Sequence, residues 1–212
     1  MSDERVYAKS QSAPRATDDT WVALRASRDG APIVLPWYVA LAIEGKVYQV
    51  RLCTIKTPLV VDIVITDTAA ESAAEAASGY TIMPVRLNVD IESLGDTLPQ
   101  ACFKSVGALI TTLGTAFVPL NHKIGGPAAN ARAAVSAAGG VAVAAEVDTT
   151  TRVHFIATQA VAANNYLNVN FRAPPVLVGP ASCYFQIATT ATTGPSYFAN
   201  YDFVEFVASE IG

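Results

Sequence analysis

The sequence predicts an all-β chain, built as an antiparallel sandwich or barrel. Three observations predict it. Ten or more short runs, apolar or alternating, recur at spacings of roughly 8–15 residues. Glycine, proline and asparagine punctuate them. No strand–helix alternation and no repeat of 20–50 residues is visible, which argues against a parallel α/β sheet, a propeller or a solenoid.

The elements follow in chain order. Residues 1–18 are polar and carry Asp3, Glu4, Arg5, Lys9, Arg15 and Asp18. They read as a flexible N-terminal arm, with 19–212 as a single domain. The arm has no apolar core of the kind a secretory signal needs. From Trp21 onward short apolar runs begin, among them 33–35 and 37–42, with Pro36 between them. Residues 46–52 alternate polar and apolar, the period of a half-buried strand. Residues 60–66 are rich in valine and isoleucine and read as another. One helix is expected, over about 69–77. Thr68 and Glu71 have capping-box spacing, the run is alanine-rich, and Gly79 stands where a C-terminal cap belongs.

Residues 80–90 form a long strand in which Pro84 implies an edge or a bulge. Val85, Leu87 and Val89 are expected on one face, with Arg86, Asn88 and Asp90 on the other. Strands are expected over 101–112 and 115–120. A hairpin turning at Gly139–Gly140 would join 132–138 to 141–147. Further strands are expected over 151–160, 166–171, 176–178, 183–188 and 197–207. In the last, Tyr201, Phe203 and Glu205 share one face, and Asp202, Val204 and Phe206 the other. The stretch 127–147 is almost wholly small and apolar. It is a candidate subunit contact, or a flat region for the arm to cover.

Apolar residues make up 51% of the chain and charged residues 15%, which excludes a disordered regulator. So little charge leaves much of the surface to be covered by neighbouring subunits. The net charge of -4 speaks against a nucleic-acid binder, which would be basic. No run of 18 apolar residues predicts a membrane helix. Cys53, Cys102 and Cys183 are scattered, odd in number and without C-x-x-C spacing, so they read as buried thiols.

Candidate chemistry is sparse. His122 falls in a loop and His154 on a strand, with no ligand spacing between them. Asp90 with Glu92, and Glu146 with Asp148, are same-face carboxylate pairs of the kind that bind Ca²⁺ or serve acid–base work. Alternating strands also place such residues outward as a matter of course. The aromatics Tyr197 and Tyr201 are a possible sugar platform, although an aromatic final strand more often fills a sandwich core. No catalytic, cofactor or metal residue is assigned, and no enzyme activity is expected.

The run Lys56-Thr-Pro-Leu-Val-Val-Asp-Ile-Val-Ile-Thr66, then the alanine-rich insertion, then Ser78-Gly-Tyr-Thr-Ile-Met-Pro-Val-Arg-Leu-Asn-Val-Asp90, resembles the opening strands of single jelly-roll virion proteins of double-stranded DNA bacteriophages. The closing segment from Cys183 to Phe206 resembles their final paired strands. The resemblance is one of pattern over about 45–207. It implies a jelly-roll capsid, minor capsid or decoration subunit, non-enzymatic and often trimeric. Its partners would be copies of itself and other capsid proteins, with no direct nucleic acid and no membrane, and its place the virion. The alternative is a carbohydrate- or receptor-binding sandwich of a phage tail fibre or spike.

Overall fold

The computed structural model describes residues 36–53, 59–60, 68–93, 100–112, 115–135, 141–147, 149–157, 166–171, 173–188 and 196–210. The expected arm, most of the strand expected over 60–66, and Gly139–Gly140 lie outside them.

The helix α1 (Trp37–Glu44) is followed by β1 (Val47–Arg51), β2 (Leu59–Val60), β3 (Ala69–Ala70), β4 (Ser72–Ala76), β5 (Tyr80–Ser93), β6 (Gln100–Val106), β7 (Thr115–Phe117) and β8 (Leu120–Asn121). Then come β9 (Arg132–Val135), β10 (Val141–Ala142), β11 (Arg152–Ala157), β12 (Tyr166–Asn170), β13 (Leu177–Val178), β14 (Ala181–Ala188) and β15 (Ser196–Val207). A seven-stranded sheet runs β12-β5-β15-β1-β8, with β13 also on β5 and β2 also on β15. A six-stranded sheet runs β11-β6-β14-β4-β9-β7, and β3 pairs with β10. Every pairing is antiparallel, as the turn-punctuated alternation predicts.

The two sheets pack face to face. Tyr48, Val50, Leu87, Val89, Tyr197 and Tyr201 from one meet Phe103, Cys183, Phe185 and Ile187 from the other. The Phe103 and Tyr201 rings lie edge to face at 5.3 Å, a favoured aromatic geometry. Cys102 and Cys183 are buried thiols, as expected, and burial pushes their pKa values up to about 11 and about 12.

The segment expected to be a helix, 69–77, is instead strand β3 and strand β4. Helix propensity loses here to tertiary pairing. β4 is interior to its sheet, between β14 and β9, and its five residues are all buried. Its register sets Ala73 opposite Tyr184 and Ala74 opposite Cys183. Small residues fit where a strand is covered on both faces beside aromatics. Gly79 does mark a turn, at φ 89, but the turn leads into β5 of the other sheet.

Among the described residues, 132–135 and 141–147, the two arms of the expected hairpin, do not pair with each other. β9 pairs with β4 and β7, and β10 pairs with β3. In the same stretch Ala131 and Ala133 join the central core, while Ala134, Val141 and Val143 join a second cluster outside the six-stranded sheet. Those alanines are thus spent inside the molecule. The run expected over 115–120 divides at Val118–Pro119. β7 joins the six-stranded sheet and β8 the seven-stranded one.

A helix occupies the apolar run after Pro36. Gly45 closes it at φ 79, with its N–H on the Ala42 carbonyl at 3.0 Å and the Lys46 N–H on that of Leu41 at 2.9 Å. Leu41 fills a small cluster with Val47, Val85 and Val204, so α1 lies on the outside of the seven-stranded sheet.

Pro84 marks a bulge in a central strand, not an edge. Asp202 faces Arg86 while Phe203 faces Pro84, so Val85 is the extra residue. The bulge turns Val85 outward to Leu41, away from Leu87 and Val89, where strict alternation would have placed it.

Candidate functional site on the outer face of the seven-stranded sheet

Strand register builds the site. Across β12, β5, β15 and β1 one row holds Asn170, Arg86, Asp202 and Gln49. The next holds Asn168, Asn88, Asn200 and Arg51, and a third Tyr166, Asp90 and Phe198. With about 3.4 Å of rise per residue, successive rows lie about 7 Å apart.

Asp202 anchors the first row. It is fully buried and accepts from Arg86 Nε at 2.8 Å, Gln49 Nε2 at 3.2 Å, the Tyr38 hydroxyl at 3.2 Å and His122 Nε2 at 3.2 Å. Arg86 adds Nη2 at 2.5 Å. Four elements, α1, β1, β5 and the segment after β8, thereby converge on one carboxylate. Burial alone would raise its pKa. The His122 hydrogen bond, the Arg86 and His122 charges and the Gln49 amide outweigh that and hold it below the ordinary aspartate value. The Tyr38 phenol is pushed up to about 12, by burial first and by the Asp202 charge second.

The second row is an amide relay. The Tyr166 hydroxyl donates to Asn88 Oδ1 at 3.0 Å, and Asn88 Nδ2 donates to Asn200 Oδ1 at 2.9 Å. Asn170 Nδ2 donates to Asn168 Oδ1 at 3.1 Å. Where the first row meets α1, a cavity of about 400 Å³ opens, lined by Trp37, Tyr38, Val85, Arg86, Asn170 and Phe171.

The other residues singled out in the sequence fall elsewhere. Asp90 and Glu92 are exposed on the same strand, and Glu92 accepts from Ser196 at 3.2 Å. Glu146 pairs with Lys104, and Asp148 lies outside the described residues. Among the described residues no three histidines, cysteines or carboxylates converge on a metal position. His154 Nε2 lies 2.6 Å from the buried Ser105 hydroxyl, and its ring packs on Phe171. Burial and then Arg152 lower its pKa. Among the described residues no carboxylate hydrogen-bonds to this histidine. Tyr197 and Tyr201 are fully buried in the core and offer no sugar platform.

The polar face of β5 was legible from alternation, and so was the outward set of Asp202. No local polar pattern marks Tyr38 and Trp37 as site residues. Pro36 and Gly45, flanking eight residues, are the cue that sets them on a helix. Asn168 and Asn170 could have been found by extending the alternation of β12.

Among known proteins, no family model matches the chain, and no curated protein or solved structure matches it significantly.

Proposed function

We propose that this chain is a jelly-roll structural subunit of a bacteriophage particle, a capsid or capsid-decoration protein that acts by binding copies of itself and neighbouring coat proteins. The observation that carries this reading is the strand order. Among the described residues, eight strands have five or more residues: β1, β4, β5, β6, β11, β12, β14 and β15. Counted along the chain, one sheet places them first–eighth–third–sixth and the other second–seventh–fourth–fifth. That order supports the jelly-roll reading, since jelly rolls are built of two nested Greek keys and viral capsid domains are prominent among them.

An apolar surface supports assembly as the mode of action. Val39 and Ile43, four residues apart on α1, point away from the sheet, and Ile43 is 58% exposed. With Ala42, His122 and Lys123 they line a groove of about 310 Å³. Beside it Leu120 and the 99%-exposed Ile124 are also bare. The Asn121 amide ties this loop to the Gly45 carbonyl at 2.8 Å, so the two apolar elements form one continuous surface. A trimer is the symmetry the family resemblance favours.

Proteomic analysis of phage particles purified from a host carrying the gene tests the proposal. The chain should be recovered in many copies per particle. Particles that lack it, from cells that express it, would contradict the reading.

A further inference from the structure

We propose that the outer face of the seven-stranded sheet, between α1 and β12, binds an uncharged glycan. This goes beyond the assembly role and does not depend on it.

The face has the chemistry of such a ligand. Sugars present hydroxyl groups, which both donate and accept, on a ring with apolar C–H faces. Amides match the hydroxyls because each side chain offers two donors and an acceptor. Four asparagines stand on this face: Asn88 and Asn200, locked to each other, and Asn168 and Asn170, exposed at the β12 edge. Aromatic rings match the C–H faces. Trp37 is 49% exposed at the rim of the cavity and stands edge-on to Tyr38 at 6.0 Å. Tyr166 is 55% exposed at the other end of the rows.

Charge decides the ligand class. The three rows carry Arg86 and Arg51 against Asp202 and Asp90, two of each sign. Asp202 occupies the Nε and Nη2 edge of Arg86. Arg86 lines the cavity with a guanidinium whose charge is already matched by Asp202. An anion would find no net field here, whereas a hydroxyl needs none. The volume of about 400 Å³ falls in the range of small-ligand sites, and the cavity joins aromatic walls to a few polar groups. The amide relay and the Asp202 bonds fix the donors before any ligand arrives, which lowers the cost of ordering them on binding.

The test is a glycan array probed with the full chain, followed by saturation-transfer NMR titration of the best neutral oligosaccharide. Binding is expected at millimolar or tighter affinity. Trp37→Ala and Asn170→Ala should each weaken it at least tenfold with an unchanged melting temperature. Asn168→Ala, at an exposed edge position, serves if Trp37→Ala fails to fold. The core change Tyr197→Phe should leave binding intact. The proposal is overturned if no neutral glycan binds, if only sialylated or sulfated glycans bind, or if the folded surface variants bind like the parent. Because the readout is glycan binding by the isolated chain, it stands or falls apart from recovery in particles.

Discussion

On the outer face of the six-stranded sheet stand Ala73, Ala134 and Tyr184, all fully buried, with Ile110, Val141 and Val143 laid over them by the same chain. Among the described residues, the outer face of the seven-stranded sheet holds Arg86, Asn88, Asn168, Asn170, Asn200 and Asp202, with α1 across one end. The contrast follows from what each face meets. A face covered by its own chain has no water to satisfy polar groups, so small and apolar residues let backbones approach, and the polar side chains buried there are held by protein partners: Glu75 accepts from the Ile110 N–H at 2.8 Å and pairs with Arg132, and the Ser182 hydroxyl donates to the Ala108 carbonyl at 2.8 Å. A face left open keeps amides and charges. At the border between the two conditions, beneath α1, the buried carboxylate of Asp202 needs four side chains to hold it.

The comparison breaks first at Arg86. Replacing it by methionine leaves Asp202 buried without its cation, and we expect a loss of about 3 kcal/mol in urea unfolding. A loss under about 1 kcal/mol would mean that water reaches this carboxylate and that the two faces differ less than described. The covered face is tested by Ala73→Leu, which must push against Tyr184 and its overlay. A cost of about 2 kcal/mol is expected from overpacking, against less than about 0.5 kcal/mol for Asn168→Leu on the open face.

Acid gives a finer contrast. Asp202 is held below its ordinary pKa, so its folded form binds fewer protons than the unfolded chain. Its contribution is therefore complete above the ordinary aspartate value and is lost as pH falls through the lowered one. Urea midpoints measured from about pH 5 down to 2 should fall more steeply for the parent than for Asp202→Asn. Equal slopes would remove this carboxylate from the account. His154 is also lowered, which favours its neutral form in the folded state. Its share of stability should be lost as pH falls below about 6.5, and His154→Gln should flatten the curve between about pH 7 and 5.

The same contrast explains what the sequence could reveal. The open face was legible because its polar residues alternate with core residues in β5 and β15, and period two survives wherever one side is wet. The covered face hid its strand. In β4 both sides are buried, alternation disappears, and alanine, chosen for its size beside Tyr184, imitates a helix. The bulge at Val85 was half legible: Pro84 announced an irregularity, but only the pairing with Asp202 and Phe203 shows which residue turned outward. The Asp202 cluster joins residues separated by up to 164 positions, such as Tyr38, and no local pattern carries that distance.

The central claim is that this sandwich is completed by its own kind, through the apolar surface of α1 and the loop after β8. Sedimentation velocity of the purified chain beside the double variant Ile43→Asp/Ile124→Asp tests it most directly. The account predicts a discrete oligomer for the parent and a folded monomer for the variant. A parent that sediments as a stable monomer at tens of micromolar, or a variant that still forms the same oligomer, would contradict it.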